Sequence, residues 1–323
     1  MRKFSLFAAG ILCAGLLLAL PAMVPAEEID SLEEKGLEEE GPPGHPYFGT
    51  RVDPPYLLIP DSTSDMVGMY SPVDGTYLGD MFEVPQIYGS SSTPINAVPG
   101  PDGFIYVSDQ VQDAVFRFDM DGNYFDVFAD GADGLNNVRG IDFRDGLLYV
   151  TSGDDFVAVF DGPHNRLPDF INDGSDPFDI LFLPDGRALL TDIQGSTDNV
   201  RLYDTDGSLL YEVFPVNFPE QVQIDTELPG AFLNNSFSAD LITDFDIDGT
   251  IESQIFFNGG RGVYRLENGN LLATAGDGVW ELDPVTGDPI EQENTGSARF
   301  IELVGGGPAA IEVYMDIKPG NCP

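Results

Sequence analysis

Two interleaved series of glycine-containing turns sharing one period, short β-branched and aromatic runs between them, and no convincing helical period from residue 55 to 304 predict an all-β chain. The period is that of a propeller blade, so the expected fold is a six-bladed β-propeller with four antiparallel strands per blade. Closure is expected by pairing of the N- and C-terminal strands.

The first series runs Asp74-Gly75, Asp121-Gly122, Asp161-Gly162, Asp206-Gly207, Asp248-Gly249 and Thr286-Gly287, with steps of 38 to 47 residues. The second lies between, at Asp102-Gly103, Asp145-Gly146, Asp185-Gly186, Pro229-Gly230 and Asn268-Gly269, with steps of 39 to 44. Glycine supplies the positive φ that a tight connection needs, and Asp or Asn bonds back to the local backbone. Between the turns, runs such as Phe104 to Val107 are answered by partners such as Ala114 to Phe118, where alternation fits half-buried strands.

Counting from Pro94, Asn137, Pro177, Pro219 and Gly260 gives five complete units. The N-terminal part supplies only Tyr56 to Ile59, Met66 to Tyr70 and Thr76 to Phe82, three strands with no leading one. The missing innermost strand is expected at Arg299 to Val304, which would leave no open edge at the seam.

Outside that body the chain divides differently. A basic start, an apolar run from Phe4 to Leu20, and Val24-Pro25-Ala26 predict a secretory signal over residues 1–26, cleaved after Ala26. Residues 27–52 read as an acidic, Pro- and Gly-rich spacer, 53–306 as the propeller and 307–323 as a tail. Of the two cysteines, Cys13 falls in the signal and Cys322 beside the C-terminus, so no disulfide framework is expected. These readings place the mature protein outside the cytoplasm, with no membrane insertion after cleavage, as a monomer.

Fourteen basic residues against 55 acidic ones give a formal charge of -41. Such a surface repels nucleic acid and anionic lipid, which excludes both as partners.

At Ile105-Tyr106-Val107-Ser108-Asp109, followed by Val115-Phe116-Arg117-Phe118-Asp119 and Gly122, the chain resembles the NHL-repeat family of six-bladed propellers. Leu148-Tyr149-Val150 with Val157 to Asp161, and Leu189 to Asp192 with Val200 to Asp204, echo the motif less fully. The resemblance implies the fold; the family includes binding platforms as well as some lyases and hydrolases, so it selects no single activity.

Aligning the units on their turns places Asn96, Arg139, Asp179, Gln221, Gly262 and Arg299 at one position at the mouth of the axial channel. Five of these are polar, and the expected ligand is an extracellular peptide, glycan or protein, with Arg139 and Arg299 on an anionic group and Asp179 offering a carboxylate. The two histidines, His45 and His164, fall in the spacer and in an outer turn, away from the channel. That favours a non-catalytic binding protein; the alternative is a lactonase or lyase using Asp179 with Arg139 and Arg299. Asp244, Asp246 and Asp248 with Gly249 match the opening of a calcium loop, although its twelfth position is Ile255 rather than a bidentate acid. No other cofactor is expected.

Overall fold

Strands covered on both faces are apolar at successive positions, and Tyr56, Leu57, Leu58 and Ile59 are buried one after another. Their side chains alternate between two cores. Tyr56 and Leu58 pack with Ala97, Ile105 and Phe116 of the following blade, while Leu57 and Ile59 pack with Tyr264, Leu272 and Val279 of the preceding one. The same division recurs around the molecule, so a core lies in each gap between neighbouring blades. Such burial contributes about 1.5–3 kcal/mol per large apolar side chain and dominates what holds the blades together.

The computed structural model describes residues 52–89, 91–195 and 198–305. The expected signal, the spacer up to residue 51, residue 306 of the expected propeller, the 307–323 tail, His45 and both cysteines lie outside the described residues. Strands are numbered in chain order from β1 to β24 and form six four-stranded antiparallel sheets. The first blade has the order β24-β1-β2-β3, from Glu302–Val304, Tyr56–Asp61, Met66–Tyr70 and Tyr77–Glu83. The other five are continuous in sequence, with innermost strands β4 (Pro94–Pro99), β8 (Val138–Arg144), β12 (Pro177–Phe182), β16 (Pro219–Ile224) and β20 (Gly260–Arg265).

The expected closure is present. Val304, Leu303 and Glu302 pair with Tyr56, Leu57 and Leu58, and an isolated bridge joins Ala298 to Asp61. Between these pairings the closing segment leaves the ladder, while Phe300, Ile301 and Val304 stay buried in three different clusters. Since a hydrogen bond nets only about 1 kcal/mol, this burial outweighs the short ladder in sealing the ring.

Turn chemistry follows the sequence series. Gly122, Gly207 and Gly249 all adopt positive φ, and at Gly207 an added Cβ would stand within van der Waals overlap of the Phe170 carbonyl in the adjacent blade. That turn therefore admits glycine for conformation and for space together.

Candidate functional site at the channel mouth

Each innermost strand opens with a residue paired to the last residue of its second strand: Pro94 to Asp109, Val138 to Ser152, Pro177 to Asp192, Pro219 to Ser236 and Gly260 to Ala275. Ala298, bridged to Asp61, is the sixth member. The next residue in each blade makes one layer around the axis: Ile95, Arg139, Phe178, Glu220, Arg261 and Arg299. The residue after that makes a second layer: Asn96, Gly140, Asp179, Gln221, Gly262 and Phe300.

The turn-based alignment had merged these layers. Arg139 and Arg299 belong one step nearer the mouth than Asn96, Asp179, Gln221 and Gly262. In the third blade the reason is the Asp145-Gly146 connection, where Arg144 pairs with Leu147 across a two-residue loop with positive φ at both positions. The equivalent loop of the second blade is longer, with Pro99 pairing to Ile105. Arg299 directly follows Ala298, the residue bridged to Asp61, which fixes its place in the first layer.

The second layer is a belt of inter-blade bonds. Asn96 Nδ2 donates to the Ile141 carbonyl, Asp179 Oδ2 accepts from the Val222 N–H at 2.9 Å, and Gln221 Oε1 accepts from the N–H groups of Val263 and Ile301. Gln221 Nε2 also donates to the Ile301 carbonyl, so its amide ties the fifth blade to both the sixth and the first. Thr151 Oγ1 to the Phe178 carbonyl and Thr274 Oγ1 to the Arg299 carbonyl continue the belt. Gly140 and Gly262 leave the room: an added Cβ would overlap Asp179 Oδ1 in the first case and stand 2.6 Å from the Arg299 carbonyl oxygen in the second. Asn96, Asp179 and Gln221 are thus buried and hold blades together, and Phe178 and Phe300 close the axis beside them.

In the layer that also holds Ile95 and Phe178, three guanidinium groups act on one carboxylate. Arg139 Nη1 donates to Asp176 Oδ1 at 2.6 Å and to the Pro177 carbonyl, with its guanidinium 5.0 Å from the Phe178 ring centroid. Arg261 Nη1 donates to Ser297 Oγ at 2.6 Å, and Arg299 Nε to Ser62 Oγ at 3.1 Å. Glu220, 3% exposed, sits where all three arginines act on its charge. Burial nevertheless pushes its carboxyl up to about 7 against their attraction. Arg299 is brought down to about 10, first by burial and then by repulsion from Arg261. Within the described residues, Glu220 Oε2, Arg139 Nε and Arg261 Nε are buried polar atoms without a hydrogen-bond partner. Sequence alignment missed Glu220 and Arg261; their signal was the position directly after the first residue of the inner strand.

Below the plug, a different set of acids lines the channel. Asp142 is pushed up to about 7 and Glu302 to about 8, both chiefly by burial, and Asp142 further raises Glu302. Asp179 is held far above the usual carboxylate range by burial, with repulsion from Glu302 and Asp142 added.

Asp244 is buried in the third strand of the fifth blade, Leu241–Asp246, and Asp246 ends that strand. Asp248 lies in the exposed turn and accepts from the Thr250 N–H. Among the described residues, the group of His, Cys, Asp or Glu ligand atoms that converges within 4.8 Å is instead Asp130, Asp133 and His164. There, Asp133 Oδ2 accepts from the Asp130 N–H and lies 2.7 Å from His164 Nδ1, so capping of the 3₁₀ turn at Gly131–Asp133 accounts for the proximity. No helix of the described residues is long and apolar enough to cross a membrane.

No protein-family model and no curated protein matches this chain. Solved structures do. A chain of a nidogen/laminin complex is similar at a TM-score of 0.65 with 14% identity, over 77% of this chain and 98% of that one. A protein of unknown function from Bacteroides caccae is similar at 0.58 with 16% identity, over 79% and 100%. A gluconolactonase of Xanthomonas campestris is similar at 0.55 with 18% identity, over 82% and 96%. At these identities the likeness establishes the propeller fold alone, which a chain of a protein complex and an enzyme share.

Proposed function

We propose that this is an exported binding protein whose ring face captures an extracellular peptide, glycan or protein through a carboxylate or comparable anionic group. The observation that carries the reading is one layer that holds Arg139, Arg261 and Arg299 together with Glu220, whose charge all three act on, with Arg139 Nε, Arg261 Nε and Glu220 Oε2 buried and unpartnered. Buried polar atoms of this kind are normally satisfied, so an arriving ligand group has bonds to make. A guanidinium offers planar donors that suit a carboxylate. The surrounding charge of -41 disfavours a polyanion, which narrows the ligand to one bearing a localised negative group.

Titration of the protein with citrate, a sialylated oligosaccharide and peptides with free or amidated C-termini tests this reading. Binding of at least one anionic probe, weakened about tenfold or more by Arg261→Ala, supports it. Equal binding of neutral and anionic forms, or indifference to both Arg261→Ala and Arg299→Ala, overturns it.

A second reading, an enzyme of the lactonase or lyase class, draws on one specific observation. Glu220, rather than Asp179, is a carboxyl near 7 beside cationic groups that could hold an anion. Turnover of a lactone abolished by Glu220→Gln, with melting behaviour unchanged, favours it over pure binding.

A further inference from the structure

Away from the channel mouth, a pocket of about 210 Å³ opens beside the first blade, walled by Asp61, Gly68, Tyr70, Tyr77, Asp80 and Asn294 among others. Among the described residues, no Lys, Arg or His lines it. The rings of Tyr70 and Tyr77 stand 5.2 Å apart at 53°. Tyr77 Oη donates to Asp80 Oδ1 at 2.6 Å, and Asn294 Nδ2 donates to Tyr70 Oη at 3.0 Å, so both phenols are fixed in place. Asp61 Oδ1 accepts from the N–H groups of Thr63 and Ser297, which orients that carboxylate as well. Gly68 keeps the interior open, since a Cβ there would stand 3.0 Å from Tyr70 Cε2 and 3.3 Å from Tyr77 Cε2.

We propose that this pocket binds a small alkylammonium group. Two carboxylates with no basic residue on the wall make it an attractive place for a cation, and two aromatic rings favour an organic cation over a strongly hydrated one. A bare metal ion would leave most of 210 Å³ unfilled, whereas a drug-sized ligand needs more than about 300 Å³. Both tyrosine hydroxyls are held above their ordinary titration range, by burial first and then by the nearby Asp61 and Asp80, so the phenols stay neutral and the carboxylates carry the charge. The site is independent of the arginine mouth and stands or falls without it. The ammonium can belong to a free small molecule or to a methylated lysine on a polypeptide; the recognising chemistry is the same.

Calorimetric titration of the full chain at low salt compares choline, its neutral isostere 3,3-dimethylbutan-1-ol, and a trimethyllysine peptide. Choline or the peptide binds, with preference over the neutral isostere of roughly tenfold or more. The tighter of the two identifies the source. Asp80→Asn weakens binding about fivefold or more. Ser64→Arg, at an exposed turn position on the pocket wall, places a competing cation there and blocks binding with the melting temperature unchanged. Failure of both cations to bind, equal binding of the neutral isostere, or insensitivity to Ser64→Arg overturns the proposal.

Discussion

Phe300 on the closing segment and Phe178 of the fourth blade meet across the axis, with ring centroids 6.0 Å apart. The two residues come from opposite sides of the ring, and with Ile95 they form an apolar plug flanked by Phe218 and Ile193. Ile95 and Phe178 share the arginine layer and Phe300 belongs to the next, whereas Asp142 and Glu302 lie two residues further along their strands, so carboxyls on the one axis meet unlike neighbours. Phe300 lies two residues before the strand that seals the first blade, so the closing segment supplies both the seam and part of the plug.

Phe300→Ala is expected to destabilise the protein by about 3–5 kcal/mol, through lost transfer energy and a cavity that the surrounding blades cannot collapse. Urea denaturation followed by intrinsic fluorescence measures the change. A loss below about 1 kcal/mol would mean that the plug contributes little to closure.

Gln221→Leu removes the acceptor for two buried N–H groups, Val263 and Ile301, and a donor to the Ile301 carbonyl. The expected cost is about 2–4 kcal/mol, because the orphaned groups stay buried. Hydrogen exchange at Val263 and Ile301 should rise well above that in distant blades, and unchanged protection there would contradict the role assigned to the amide.

Stability should fall as pH rises from about 4 to 8. The folded-state values of Asp142 and Glu302, about 7 and about 8, lie above unfolded values near 4, so over this window the folded state binds more protons than the unfolded one. Their contribution is whole below about pH 4 and is lost as pH passes through the folded-state values. Glu302→Gln keeps the hydrogen-bonding shape without the titration, and its melting temperature should decline less across that window than that of the parent protein. Parallel pH profiles for the two proteins would refute the assignment.

Glu220→Gln at the mouth removes the carboxylate that competes for the three guanidinium groups. Affinity for an anionic probe should rise several-fold above pH 7, where Glu220 is ionised, and change less below it. A fall in affinity at high pH would instead give Glu220 a direct part in ligand contact.

The blade period, the number of blades and the seam were legible along the chain because they are written in local chemistry. Positive-φ turns call for glycine, and strands buried on both sides call for runs such as Leu57 to Ile59. The starts of the inner strands were likewise legible, since Pro94, Pro177, Pro219 and Gly260 all open one and Val138 opens the third a single residue after Asn137.

Which side chains meet at the mouth was settled elsewhere. A two-residue loop at Asp145-Gly146 against longer ones in other blades moves Arg139 by one layer, out of the belt of Asn96, Asp179 and Gln221 and into the layer of Glu220, Arg261 and Arg299. Period and turns are properties of neighbours in the chain, which sequence by itself determines. The gathering of Arg139, Glu220, Arg261 and Arg299, the bonds that occupy Asp179 and Gln221, and the meeting of Phe178 with Phe300 join blades distant in sequence; only tertiary structure decided them, because burial and charge at the axis are sums over all six blades.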